Sequence, residues 1–126
     1  MIRLVALFVL MVGALLAHHS VAAEFDISKP TDYRATITRV QWMNPHVLVF
    51  ANVEGREVAF EIGAPNSMTR NGHTRDLFKE GEVLTIVGYP AKDGSAKVNS
   101  RKITWPDGRS LENIDKWITR DEANQR

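Results

Sequence analysis

Four histidines offer most of the side-chain chemistry in this chain. His18 and His19 are adjacent. His46 closes the run Trp42-Met43-Asn44-Pro45-His46, and His73 lies in Asn71-Gly72-His73-Thr74. If His18 becomes the first residue of the mature chain, its free amine and its imidazole form a chelate. His19 adds a second imidazole, with the intervening amide nitrogen available to Cu(II). Such nitrogen donors suit copper, nickel or zinc, and copper leads the affinity order. Each donor must be deprotonated to bind. Pro45 fixes the chain direction before His46. A leader that folds back can therefore bring His18, His19 and His46 together, an arrangement known as a histidine brace.

Plainer readings stand beside this one. A His-His start can serve only as a polar beginning that aids cleavage. His46 can cap a strand or bond a backbone carbonyl. His73 reads as a solvated loop residue. Met43 and Met68 are potential soft ligands for Cu(I), but methionine is far more often core filler. The pattern is less specific than an HExxH signature. No serine lies in a GxSxG context and no Gly-rich phosphate loop is present. Glu57 and Glu61 read as the solvated side of a strand. No catalytic residue is assigned, and the chain reads as non-enzymatic. A mononuclear copper centre performing oxidation is the third functional class, behind binding.

Composition narrows the partners. The chain has 126 residues, with 16 Lys+Arg against 15 Asp+Glu, and no cysteine. A formal charge of +1 leaves no basic footprint for nucleic acid. Without cysteine there is no disulfide framework, thiolate metal site or thiol nucleophile. Trp42, Phe50, Phe60, Tyr89 and Trp105 could form a stacking platform. Core packing is their default role, because aromatics carry large buried area. The alternative function is a binding module for a protein or ligand, using the aromatic surface near Trp42.

The N-terminus decides whether the histidine pair is ever exposed as an amine. Residues 1–17 read MIRLVALFVLMVGALLA, with Arg3 the only charge. The apolar run from Leu4 to Leu16 is short of the ~20 residues a spanning helix needs. A positive start, a short apolar segment and a small residue at its end describe a secretory signal peptide. A membrane anchor is the alternative. Gly13 and the end of the apolar run place cleavage after Ala17, so the mature protein begins His18-His19-Ser20. A rival site after Ala23 would discard both histidines. Cleavage implies export to a bacterial periplasm, with the membrane met only in transit.

The remaining chain must position these groups. Residues 18–31 form a leader ending near Lys29-Pro30. Tyr33, Ala35 and Ile37 alternate with polar residues as a strand does, and Val40 and Trp42 then sit on the opposite parity. Such a slip predicts a β-bulge that bends the strand. Strands follow over His46–Val53 and Glu57–Ile62, with a turn at Glu54-Gly55. Pro65 and Gly72 bracket a short helix over residues 64–72. Further strands run over Glu82–Tyr89 and about Ala96–Trp105, the last with a second parity slip between Val98 and Ile103. Leu111, Ile114, Trp117 and Ile118 have helical spacing, which predicts a short amphipathic helix in the tail, residues 111–126. Three strands, a helix and two strands is the order of an OB-like barrel, here spanning 32–110. An all-β, five-stranded barrel is thus the expected fold. An open β-sandwich is the alternative. The turn 43–45 and Trp42 are expected beside the leader.

The combination His18-His19-Ser20, Phe25-Asp26, Trp42-x-Asn44-Pro45-His46, Glu61, Gly72 and Gly81-x-Val83-x-x-x-Val87-Gly88 with Asp93-Gly94 resembles a family of uncharacterised exported bacterial proteins, a domain of unknown function. The likeness covers residues 18 to about 111. The resemblance implies that the histidine pair directly follows the signal peptide. The chain departs from the family pattern at Ala35, where glycine is usual, and at Val58 and His73, where tryptophan is usual. The last departure makes His73 a poor candidate for a shared ligand. No activity is implied.

Overall fold

The computed structural model describes residues 20–112 and 116–118. A short helix α1 (Ser20–Glu24) precedes strands β1 (Thr31–Gln41), β2 (Leu48–Val53) and β3 (Arg56–Glu61). Helix α2 (Pro65–Arg70) and a 3-10 turn (Arg75–Leu77) lead to β4 (Val83–Pro90) and β5 (Lys97–Thr104). Two three-residue strands, β6 (Ser110–Glu112) and β7 (Lys116–Ile118), follow. The strands lie in the order β3-β2-β1-β4-β5-β6-β7. A parallel pairing of β3 with β5 joins Ala59–Glu61 to Lys97–Asn99 and closes the first five strands into a barrel. The protein is therefore all-β, and the OB-type order of elements is observed.

The two parity slips are both bulges. On β1, Ile37 pairs with Ala51 and Arg39 with Phe50, so Thr38 is the extra residue. Its hydroxyl donates to the Phe50 carbonyl at 3.1 Å. The added residue lets Ala35 and Ile37 before it, and Val40 and Trp42 after it, all pack against one core. The bend also divides the strand's partners. Thr31–Thr36 pair with β4, while Thr36–Gln41 pair with β2. On β5, Val87 faces Lys102 and Gly88 faces Ser100, which leaves Arg101 as the extra residue. Val98 and Ile103, of opposite parity, are both buried as a result. Bulges bend strands in this way at the corners of small barrels.

Local chemistry explains the connections. Glu54 and Gly55 have φ of 51° and 85°, the double positive φ of a two-residue hairpin turn. Helix α2 starts on Pro65 and buries Met68 against the barrel core. Gly72 (φ 83°) turns the chain back, and His73 N donates to the Met68 carbonyl at 2.9 Å. His73 is only 2% exposed. The expectation of a solvated His73 is corrected, because the reversal after α2 carries its side chain inward. Phe78 stacks on Trp105 with ring centroids 5.9 Å apart.

The tail differs from the expected amphipathic helix where it is described. Ser110–Glu112 pair with Lys102–Thr104, and Lys116–Ile118 pair with Ser110–Glu112. β3 pairs with β5 only as far as Asn99, so the backbone of Lys102–Thr104 needs another partner. The Asp107-Gly108 turn supplies it by returning the chain alongside. Asp107 accepts from the Arg109 amide at 2.9 Å, and Trp105 N donates to the Arg109 carbonyl at 2.9 Å. Residues 113–115 and 119–126 lie outside the described residues, as does the expected signal peptide. Among the described residues no helix is long and apolar enough to cross a membrane.

Candidate functional site

The leader is fastened to the barrel at one place. Phe25 is 1% exposed and forms a β-bridge with Ala91. Asp26 N donates to the Pro90 carbonyl, and Lys92 N donates to the Glu24 carbonyl, both at 2.9 Å. Asp26 then closes a tight turn by accepting from the Ser28 hydroxyl and amide at 2.6 and 3.1 Å. The Ser28 hydroxyl leads the interactions that hold the Asp26 carboxyl below its usual range. This anchor lays α1 along a cleft of about 430 Å³. Val21, Glu24 and Phe25 from the leader face Pro45, His46 and Glu61 across it. Lys97 and Asn99 of β5 also line the cleft.

His46 reaches this cleft because the β2–β3 ladder continues past the strand ends. Val47 N donates to the Gly63 carbonyl at 2.9 Å, and Ile62 N donates to the Val47 carbonyl at 2.8 Å. The preceding Asn44–Pro45 bond is cis. His46 Nδ1 lies 3.2 Å from Glu61 Oε1. The His46 side chain is 46% exposed, whereas that of Glu61 is 9% exposed. Lys97 Nζ bridges two carboxylates, at 3.0 Å from Glu24 Oε1 and 3.4 Å from Glu61 Oε2. It also stands 5.7 Å from the Phe25 ring centroid, within cation–π range. The hydrogen bond to Glu24 is the largest influence raising the Lys97 pKa. Partial burial opposes it, and the charge of Glu61 adds to it.

A continuous polar chain thus runs Glu24–Lys97–Glu61–His46, from the end of α1 to the candidate ligand. Reading Glu61 as solvated is corrected. Its side chain does point away from the barrel core, but His46 and Lys97 lie against it there. Its contact with His46 follows from the hairpin register. The turn at 54–55 pairs Leu48 with Glu61, and His46 lies two residues from Leu48 on the same face. Glu24 and Lys97 carry no comparable signal, because their approach depends on how the leader docks.

The other expectations divide. Pro45 and His46 do share the cleft with the leader. Trp42 instead packs half-buried against the barrel core. Phe60 and Trp105 are core residues, as is Met68, while Met43 is 56% exposed. His18 and His19 lie outside the described residues. Among the described residues no group of three or more histidine, cysteine, aspartate or glutamate side chains is arranged to hold a metal ion. His46 offers one nitrogen donor, so a metal held there needs donors from elsewhere in the chain.

Fold and cleft together define a small OB-type barrel with an N-terminal leader docked beside a histidine–carboxylate pair. Residues 7–100 match the model of a family of unknown function (DUF6152), and the chain belongs to that family. Comparison with curated proteins and with solved structures gives no match.

Proposed function

We propose that this is an exported periplasmic barrel that binds a transition-metal ion, copper first, through the amine and imidazole of His18, the imidazole of His19 and the imidazole of His46. One observation carries the reading: the leader lines the same cleft as His46. Val21 stands at that cleft, and His19 precedes it by two residues. Backbone geometry limits that separation to roughly 7 Å, and the separation from His18 to roughly 11 Å. Anchoring at Phe25 removes much of the entropy that a free leader would lose on joining a site. Imidazole and amine nitrogens form a neutral set that favours copper over hard cations such as calcium or magnesium.

Titration calorimetry of Cu(II) into the mature protein tests this reading. Wild type should bind one equivalent more tightly than His46→Ala, with the barrel of the variant still folded. An extra residue ahead of His18 should weaken binding by removing the amine chelate. Equal affinities for wild type and His46→Ala would mean that the His-His start binds copper by itself. No binding by any form would leave the cleft to a non-metal ligand.

A further inference from the structure

We propose that the cleft between the leader and the barrel binds a neutral, polyhydroxylated small molecule of the saccharide type, with Glu61, Asn99 and Arg101 making the polar contacts. This inference stands apart from the metal reading, because it uses only described residues and asks nothing of His46.

The group that the fold leaves unexplained is Asn99. Val98 before it and Ser100 after it are buried, so Asn99 projects from the opposite face of β5, as Lys97 does. An outward residue ordinarily meets water, yet Asn99 is 6% exposed. It lines the cleft, and its Oδ1 is shielded from solvent and accepts no hydrogen bond among the described residues. Buried polar groups are nearly always paired, so a lone acceptor in a cleft wall points to a donor supplied by a ligand. Rotation about the broad terminal torsion of asparagine turns this oxygen towards the opening. Glu61 is the register partner of Asn99 across the parallel β3–β5 pair. A carboxylate offers about four acceptor sites, and the ion-pair contacts of Glu61 to His46 and Lys97 leave others open. Two acceptors in need of donors thus stand side by side.

Arg101 supplies the complementary chemistry. It lines the same cleft, with its guanidinium 5.7 Å from the Tyr89 ring centroid. Among the described residues no carboxylate lies within ion-pair distance of it, so its N–H donors are open to a ligand. Charge then selects the ligand. With His46 neutral, the carboxylates of Glu24 and Glu61 balance the cations of Lys97 and Arg101. A cationic ligand would have to displace Lys97 from its two carboxylates. An anionic one would sit against Glu24 and Glu61. A neutral ligand disturbs neither. A hydroxyl both donates and accepts, so one polyol can serve Glu61 and Asn99 with its hydrogens and Arg101 with its oxygens. Val21, Phe25, Pro45 and Ile62 provide apolar wall for the C–H surface of a sugar ring. The volume of about 430 Å³ lies within the ~300–1,000 Å³ usual for small-molecule clefts.

The test uses the ¹⁵N-labelled mature protein, freed of metal with a chelator. D-glucose, N-acetyl-D-glucosamine and maltose are the neutral probes, and n-butylamine and butyrate are the charged ones. Each is titrated while ¹H–¹⁵N spectra follow the Asn99 side-chain amide and the Arg101 signals. At least one sugar should shift both sets saturably, and neither charged probe should. Asn99→Leu removes the lone acceptor at nearly constant volume. It should weaken sugar binding about 10-fold or more while thermal stability stays equal or rises, because no bond within the fold is lost. Arg101→Met, at an exposed position, should also weaken binding and leave stability unchanged. The proposal is overturned if none of the three sugars gives saturable shifts, or if n-butylamine or butyrate shifts the same signals at lower concentration. Wild-type sugar affinity in folded Asn99→Leu overturns it too. A marked loss of stability in Asn99→Leu would show that the amide serves the fold, and also overturns it. Copper titration bears on the metal reading alone, so the two can fail separately.

Discussion

At the scale of single residues, Lys97 joins the leader to the barrel electrostatically. Glu24 is the main cause of its raised pKa, followed by the opposing effect of burial and then by the charge of Glu61. A raised folded-state value means that the stabilisation is fully present below the ordinary value of 10.5 and is lost as pH rises through the folded-state value. Urea denaturation from neutral to strongly alkaline pH should show this loss in wild type. The Lys97→Met variant should lack that component and keep whatever loss the other basic groups cause. The difference should be small, because Lys97 and Glu24 are both partly solvated. Identical alkaline profiles would mean that the bridge is not maintained in solution. Of the cleft residues, His46 was legible in the sequence from the proline that precedes it. Glu61 was hidden, since a charged residue on the outward parity of a strand ordinarily faces water. Here His46 and Lys97 lie against it, and Lys97 comes from a strand whose parallel pairing with β3 no local pattern announces.

At the scale of elements, the bulges govern the barrel, and both are readable as parity slips. Gly88 lies beside the register shift that marks the β5 bulge. A Cβ at this position would stand 2.5 Å from Val98 Cγ1 and 2.6 Å from the Asn99 carbonyl oxygen. The carbonyl belongs to a strand paired on both sides and has little freedom to retreat. Gly88→Ala should therefore destabilise the protein by about 1–3 kcal/mol, the usual range for overpacking. The shift in urea midpoint measures this. A midpoint equal to that of wild type would contradict the close approach of β4 and β5. Thr38→Val probes the other bulge. Loss of the hydroxyl bond to Phe50 should cost about 0.5–1.5 kcal/mol. The tail shows where periodicity misleads. Leu111, Trp117 and Ile118 fit a helical pattern as well as a strand pattern, since the apolar positions are few. The edge of Lys102–Thr104 that faces away from β4 and lies beyond the β3 pairing decides in favour of strands.

At the scale of the whole molecule, the closed barrel is a rigid support, and the leader is the added part. Closure by β3–β5 pairing places Glu61 and Lys97 on neighbouring strands two residues apart in register. The same pairing brings the ends of β3 and β5 to the cleft that the leader borders. The order of strands and helix made this architecture legible, because few other folds put a helix between the third and fourth of five strands. The cleft was not legible, because it exists only between the barrel wall and the leader. Family membership places the chain among proteins of unknown function and leaves the chemistry to these residues. The central claim is that maturation exposes His18 as an amine and that this terminus, with His46, holds one copper ion. Native intact-mass analysis of the exported protein, with and without Cu(II), tests both parts in one measurement. The expected spectrum corresponds to a chain beginning at His18 that retains a single copper ion. A chain beginning at Glu24, or one beginning at His18 that retains no metal, would contradict the claim.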